Sequence, residues 1–310
     1  MKNFITVLFL LVASFLLISN SLQACDLCGC GAGSYYLGVM PQFQKNFVGV
    51  RYRQASFDSH LGGNSNYSSL FATQERFYTA EIWARYYPHP RLQFLAFLPY
   101  QWNFQDERDD TKSLSGIADA SLIAQYEIWN TTTDTTSQTF EHNFFVGGGI
   151  KLPTGQSSFD EEDILQVANP NFQLGTGSTD FLLTTQYTIR HKQAGFTADA
   201  SYKINTVNSQ DYRFGNRFSS NMTLFYIKQI GKFGFMPTLG TYYENNRKDK
   251  LKENTVFDTG GSLLNAVLGT QIYTGRFMVG INYQTPLSQN LANNQIKAKD
   301  RFMIQTAFLF

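Results

Sequence analysis

Long runs in which polarity flips at every residue restrict this chain more than any other feature. Tyr78, Ala80, Ile82, Ala84 and Tyr86 interleave with Thr79, Glu81, Trp83 and Arg85. Ala118, Ala120, Leu122, Ala124, Tyr126 and Ile128 interleave with Asp119, Ser121, Gln125 and Glu127. The stretches Phe196 to Asn205 and Phe277 to Gln284 repeat the pattern. At a period of two these sets fall on opposite faces of a strand, whereas on a helix they scatter around the axis. The runs reach about ten residues or more, longer than the ~5–6 usual in a soluble sandwich. One face is apolar and the other carries charge. Burying Glu81, Arg85, Asp119, Glu127, Asp180 and Lys203 in a sandwich core costs too much. A hydrated interior surrounded by lipid does not, so the pattern predicts an all-β fold, an antiparallel transmembrane β-barrel.

About twelve such strands are expected, an even number as single-chain bacterial barrels have. They begin near Phe47, Arg76, Leu92, Ile117, Phe140, Thr179, Phe196, Phe218, Phe233, Leu263, Phe277 and Arg301. Their connections alternate in length. Pro88-His89-Pro90, His191 to Gly195, Ile230-Gly231 and Thr274-Gly275 are tight, and Thr131 to Thr139 is somewhat longer. Asp58 to Gln74, Asp106 to Gly116, Pro153 to Gly177, Val207 to Gly215, Asn245 to Gly260 and Leu287 to Asp300 are long and polar. Short periplasmic turns and long extracellular loops produce this rhythm, and it places both termini in the periplasm. Tyr86, Tyr87, Tyr100, Trp102, Trp129, Tyr187, Tyr226, Tyr243 and Tyr273 cluster near strand ends, where interfacial girdles form. A formal charge of +1 gives no reason to expect a nucleic-acid partner.

The N-terminus reads as an export signal. Lys2 precedes an apolar run from Phe4 to Ile18, followed by small or polar residues up to Ala24. Residues 1–24 are therefore expected to be a signal peptide, 25–43 a Cys-rich segment and 44–310 the barrel. Leu22-Gln23-Ala24-Cys25 resembles a lipobox, and cleavage after Ala24 by the ordinary route is the alternative. Both leave Cys25 first, with or without lipid. Cys25, Cys28 and Cys30 are the chain's three cysteines. Their spacing suits Cu(I) or Zn(II), a disulfide between two of them, or lipidation of Cys25 with Cys28 and Cys30 paired.

The last strand ends in Phe310, with Phe302, Ile304 and Phe308 on one face. It resembles the C-terminal strand that barrel assembly machinery reads. A second resemblance is carried by Lys151-Leu152-Pro153-Thr154-Gly155, Gln173-Leu174-Gly175-Thr176-Gly177-Ser178 and Asp180-Phe181. This strand–loop–strand signature is similar to that of the outer-membrane transporters grouped with the phenol meta-pathway proteins. The resemblance implies a transport role, and the Cys-rich N-terminus departs from the family's usual pattern. The glycines themselves suit tight entry into and exit from the loop.

The inferred interior carries Arg51, Arg53, Glu81, Arg85, Asp119, Glu127, Lys151, Asp180, Arg190, Asp199, Lys203 and Arg301 as candidate lumen residues. Their charges nearly balance, which argues against strong selectivity for ions of one sign. The acidic run Asp160 to Asp163 reads as a solvated turn, with Ca²⁺ or a divalent bridge to lipopolysaccharide as the alternative. Neither the four histidines nor Gly147-Gly148-Gly149 forms a recognisable catalytic or phosphate-binding set. The expectation is a non-enzymatic outer-membrane channel passing small solutes, with outer-membrane lipid and lipopolysaccharide around it and no required cofactor. A metal-handling envelope protein built on the Cys cluster, or a structural, surface-binding barrel, are the alternatives.

Overall fold

The computed structural model describes residues 45–59, 73–106, 110–131, 140–157, 172–256 and 259–310. Twelve strands form the wall: β1 (Phe47–Ser59), β2 (Thr73–His89), β3 (Leu92–Asp106), β4 (Thr111–Ile117, resuming as Ser121–Asn130), β5 (Glu141–Lys151), β6 (Asp180–His191), β7 (Ala194–Ile204), β8 (Arg217–Tyr226, continued by Lys228–Ile230), β9 (Phe233–Asn246), β10 (Gly261–Thr274), β11 (Phe277–Leu291) and β12 (Arg301–Leu309). Each pairs antiparallel with the next. The ring closes between β1 and β12, with Phe47 opposite Leu309 and Gln54 opposite Phe302. Closure is what permits a sheet in hydrocarbon, because it leaves no row of unpaired N–H and C=O groups.

The period-two pattern sorts the side chains as the two solvents demand. Val48, Val50, Ile82, Leu98, Leu122, Leu183, Met222, Leu224, Leu239, Leu268, Val279, Ile281 and Ile304 are exposed on the outer wall. Arg51, Glu81, Gln125, Asp180, Asn221 and Asn265 are buried inside. A soluble protein would be sorted the other way round, so the outer surface identifies lipid as its solvent. Aromatic pairs mark the band's two edges: Tyr52–Tyr78, Tyr78–Phe104 and Phe218–Tyr243 toward the extracellular end, Phe277–Phe308 and Phe308–Phe310 toward the periplasmic end. The chain is thus an outer-membrane barrel. Tyr87 and Tyr273 leave the expected girdle. Tyr87 lies under the Arg85 guanidinium, and Tyr273 packs on the interior apolar cluster.

Much of the 106–116 segment, expected as a long loop, instead extends the wall. Thr111 to Ile117 pairs with Asp106 back to Tyr100, which shortens the connection to 107–110. Lys112, Ser113 and Ser115 rise beyond the apolar band, so this segment lacks the alternation that marks a membrane strand. For the same reason β11 runs on to Leu291, past the expected loop start at Leu287, with a register shift opposite Leu264 and Asn265. Strand β4 is interrupted at Ala118 to Ala120, where Ala118 N–H donates to the Pro99 carbonyl.

Gly147 and Gly149 let β5 lie close under its neighbour β4. A Cβ on Gly147 would stand 2.1 Å from the Ala124 carbonyl oxygen, and one on Gly149 would stand 2.7 Å from that of Leu122. With no side chain at Gly147, Gln125 reaches over it to donate to Thr184 Oγ1 at 3.0 Å. Gly147→Ala is therefore expected to lower stability by roughly 1–3 kcal/mol, the usual cost of overpacking. Gly148→Ala, on the same strand with no atom nearer than 3.3 Å to the added Cβ, should cost less. Urea-unfolding midpoints in detergent would compare the two.

Candidate functional site

Twelve strands about 4.8 Å apart and tilted about 40° make a cylinder roughly 24 Å across its backbone. Side chains from facing walls take up about half of that, so their identity decides what the interior admits. Apolar and polar side chains share the interior unevenly: Gln93, Gln101, Asn103 and Gln125 are buried on β3 and β4, and Phe225, Met236 and Tyr242 on β8 and β9, but the apolar groups gather most on one side. From β11 round to β4 the interior carries an apolar stripe of Met278, Ala307, Leu309, Phe47, Trp83, Leu95, Phe97 and Ile123, which continues to Leu182 on β6. Gly149 supplies no side chain between Ile123 and Leu182, so the stripe crosses β5 unbroken. Arginines sit against this stripe: the Arg51 guanidinium carbon is 5.1 Å from the Trp83 ring centroid and 5.5 Å from that of Phe97, and that of Arg85 is 5.0 Å from the Phe47 centroid. Guanidinium faces are weakly hydrated and stack on rings, so these cations keep the stripe aromatic in character.

On β6 to β9 hydroxyls and amides predominate. Thr184, Gln186, Thr188, Thr197, Ser201, Ser219, Asn221, Thr223 and Thr238 are buried on β6 to β9. They bond to one another across strands: Thr188 with Thr197 at 2.9 Å, and Ser201 with Ser219 at 2.8 Å. Where the two regions meet, Arg301 of β12 pairs with Glu244 of β9 at 3.0 Å, and Arg217 donates to Asn246 Oδ1 at 2.7 Å.

At the extracellular mouth the glycine-rich signature forms a clasp. Asp119, in the break of β4, accepts from Gly155 N–H at 3.0 Å through Oδ1 and from Thr176 N–H at 2.9 Å through Oδ2. The Lys151 ammonium contacts Asp119 and lies 3.1 Å from Asp180 Oδ2, which Lys203 approaches at 3.5 Å. Ser178 Oγ donates to Asp180 Oδ1 at 2.8 Å. Thr154 closes the break in β4, accepting from Ala120 N–H and donating to the Ala118 carbonyl. The glycines are required by proximity: a Cβ on Gly175 would lie 2.4 Å from Asp119 Oδ1, and Gly177 has a φ of +69°.

The clasp delivers Phe172 into the mouth. Asn103 Nδ2 donates to the Phe172 carbonyl at 2.7 Å, and the ring packs edge-on against Phe77, which in turn meets Phe57. Leu263, Leu291, Ile296 and Ala298 complete this cluster. An aromatic residue just before the glycine motif is the one signal that pointed to it, and sequence reasoning passed it over.

The candidate lumen residues occupy distinct stations. Arg51 and Arg53 face Glu81 on adjacent strands. Arg85 donates to the Lys45 carbonyl at the periplasmic rim. Glu127 accepts from Asn130 and Asn143, and Arg190 pairs with Glu141 at the periplasmic end, part-exposed. Asp119, Lys151, Asp180 and Lys203 meet in the clasp, Arg301 sits with Glu244, and Asp199 lies on the hydroxyl wall bonded to Asn221. Cys25, Cys28, Cys30, the expected signal peptide and Asp160 to Asp163 lie outside the described residues. Among the described residues no three His, Cys, Asp or Glu side chains gather as a metal site.

Without Asp119 the Gly155 and Thr176 N–H groups lose their acceptor and Lys151 is left with Asp180, at about 1–3 kcal/mol for each buried group left unsatisfied. Asp119→Ala should accordingly release the clasp. The expected result is faster hydrogen exchange at the Gly155 and Thr176 amides, with the exchange of mid-barrel amides unchanged.

Comparison with known proteins agrees with this geometry. A crystal structure of an outer-membrane channel from Pseudomonas putida F1 superposes with a TM-score of 0.62 at 15% identity, covering 89% of this chain and 99% of that one. The β-domain of the Bordetella autotransporter BrkA superposes at 0.51 with 9% identity, covering 86% of this chain and 100% of that one. These likenesses concern the fold. No curated protein sequence matches the chain. A family model described as "Putative MetA-pathway of phenol degradation" matches residues 57–287, a span that contains the clasp and nine of the strands in full. On that match, the chain belongs to this family of proteins.

Proposed function

We propose that the barrel is an outer-membrane conduit for small solutes that carry both an apolar and a polar face. The observation that carries this reading is the gathering of apolar and aromatic interior residues, with arginines against them, on one side, and the predominance of hydroxyls and amides on β6 to β9. A pore for inorganic ions has no use for an apolar stripe of this kind, which lines sites for organic ligands. Conversely, a barrel serving only as an anchor has no need of the buried polar groups opposite, which are costly unless satisfied. The two superposed proteins, a channel and an autotransporter domain, are compatible with passage through such a barrel. Proteins of this kind pass solutes by binding and release, without a bond-making step, so no residue here is assigned a catalytic role.

Two measurements test the reading. Liposomes carrying the purified full chain should swell in small amphipathic solutes faster than protein-free liposomes, and an unbroken seal at high protein density would count against it. The second uses Trp83, buried on the stripe, in a protein with Trp102→Phe and Trp129→Phe. Its fluorescence should be quenched saturably by a brominated aromatic alcohol and only weakly by iodide. Equal quenching by both would mean that the stripe confers no preference.

A further inference from the structure

We propose that Asp199 and Asn221, side by side on the hydroxyl wall, form a subsite for a protonated amine. The two residues are direct partners in the β7–β8 register. Each lies near the middle of its strand, and their outward neighbours Met222 and Leu224 belong to the lipid-facing band. The pair therefore sits at mid-height in the barrel.

Asp199 differs from the interior carboxylates around it. Glu81 has Arg51, Asp119 and Asp180 have Lys151, and Glu244 has Arg301. Asp199 has no ion-pair partner among the described residues, and accepts from Asn221 Nδ2 at 3.1 Å. The groups next to it along its own strand, Thr197 and Ser201, and across from it on β6, Gln186, are all uncharged. An ionisable side chain in a membrane-spanning segment without a compensating charge marks a path for solutes or ions.

Asn221 supplies the second, independent observation. It is 1% exposed, and its Oδ1 accepts no hydrogen bond among the described residues. Its amide nitrogen is already committed to Asp199 and to Thr223 Oγ1 at 3.0 Å. The nearby hydroxyls of Ser201 and Ser219 bond each other. The pair thus presents acceptors in excess of donors, in a place where buried acceptors are normally satisfied. What it lacks is a cation bearing several N–H groups. A primary ammonium has three. It would meet the carboxylate of Asp199 and the oxygen of Asn221 while its hydrocarbon part faces the apolar stripe across the interior.

The inference rests on the conduit reading, but its test does not depend on conduction. Full-length protein in detergent is titrated calorimetrically with n-butylammonium, and with n-butanol as the uncharged counterpart. The amine should bind saturably. Asp199→Asn should weaken it about tenfold or more, the loss expected for one hydrogen bond to a charged group. Glu253→Gln, on an external turn, should leave binding unchanged. If Asp199→Asn does not yield a folded barrel, Asn221→Thr removes the unpartnered oxygen while keeping the carboxylate, and should weaken binding several-fold. Parent-like affinity in the folded variant, no saturable binding by the parent, or displacement of the amine by equimolar potassium would overturn the proposal. Amine binding by a protein that seals liposomes would sink the conduit and leave this site standing.

Discussion

Hydrocarbon offers nothing for a peptide group to bond to, and the rest of this structure follows from that. Every strand must have a neighbour on both sides, so the first and last strands must meet. Once they do, alternate residues point by necessity into two different solvents. The outer set is fitted to lipid and needs only to be apolar. The inner set is enclosed and has to satisfy its own polar groups. The chemistry of the protein is therefore confined to the residues of one parity and to the loops at the rim.

Within that enclosure glycine and charge act together. Gly147 and Gly149 thin the wall so that side chains on β4 and β6 touch across β5, extending both the apolar stripe and the Gln125–Thr184 contact. Gly155 and Gly175 admit the backbone close enough to Asp119 for two amides to reach one carboxylate. Lys151 balances the negative charge gathered there. Each device replaces bulk with contact, and the loop it secures carries Phe172 into the mouth.

The strand count, the antiparallel order, the outward face and the side of each turn were all legible in the sequence, because the alternation is set by two solvents and needs no partner to be recognised. Boundaries at the outer rim were not, since Thr111 to Ile117 projects beyond the lipid and loses the pattern. The girdle was over-counted for a related reason. Tyr87 and Tyr273 share the composition of interfacial tyrosines but have interior parity. In the interior, the sequence revealed which charges existed but not which faced which. A near-even tally suggested neutrality, whereas the pairs formed are local and leave Asp199 among neutral neighbours. Distances between strands far apart in sequence, as between Glu244 and Arg301, follow from register around the ring and have no signal in any short window.

The seam between β1 and β12 has a consequence for the order of events during biogenesis. Val48 pairs with Phe308, so the strand that begins the wall waits for the segment that finishes it. Contacts of such sequence separation form slowly, because the whole intervening loop must be closed first. Until then both borders of the sheet are sticky, and either can recruit a foreign strand. A chain released short of its final segment would retain nearly all of its greasy exterior and have no way to hide its borders. Such a product is prone to aggregate, and quality control would meet it as an open ribbon rather than a weakened cylinder.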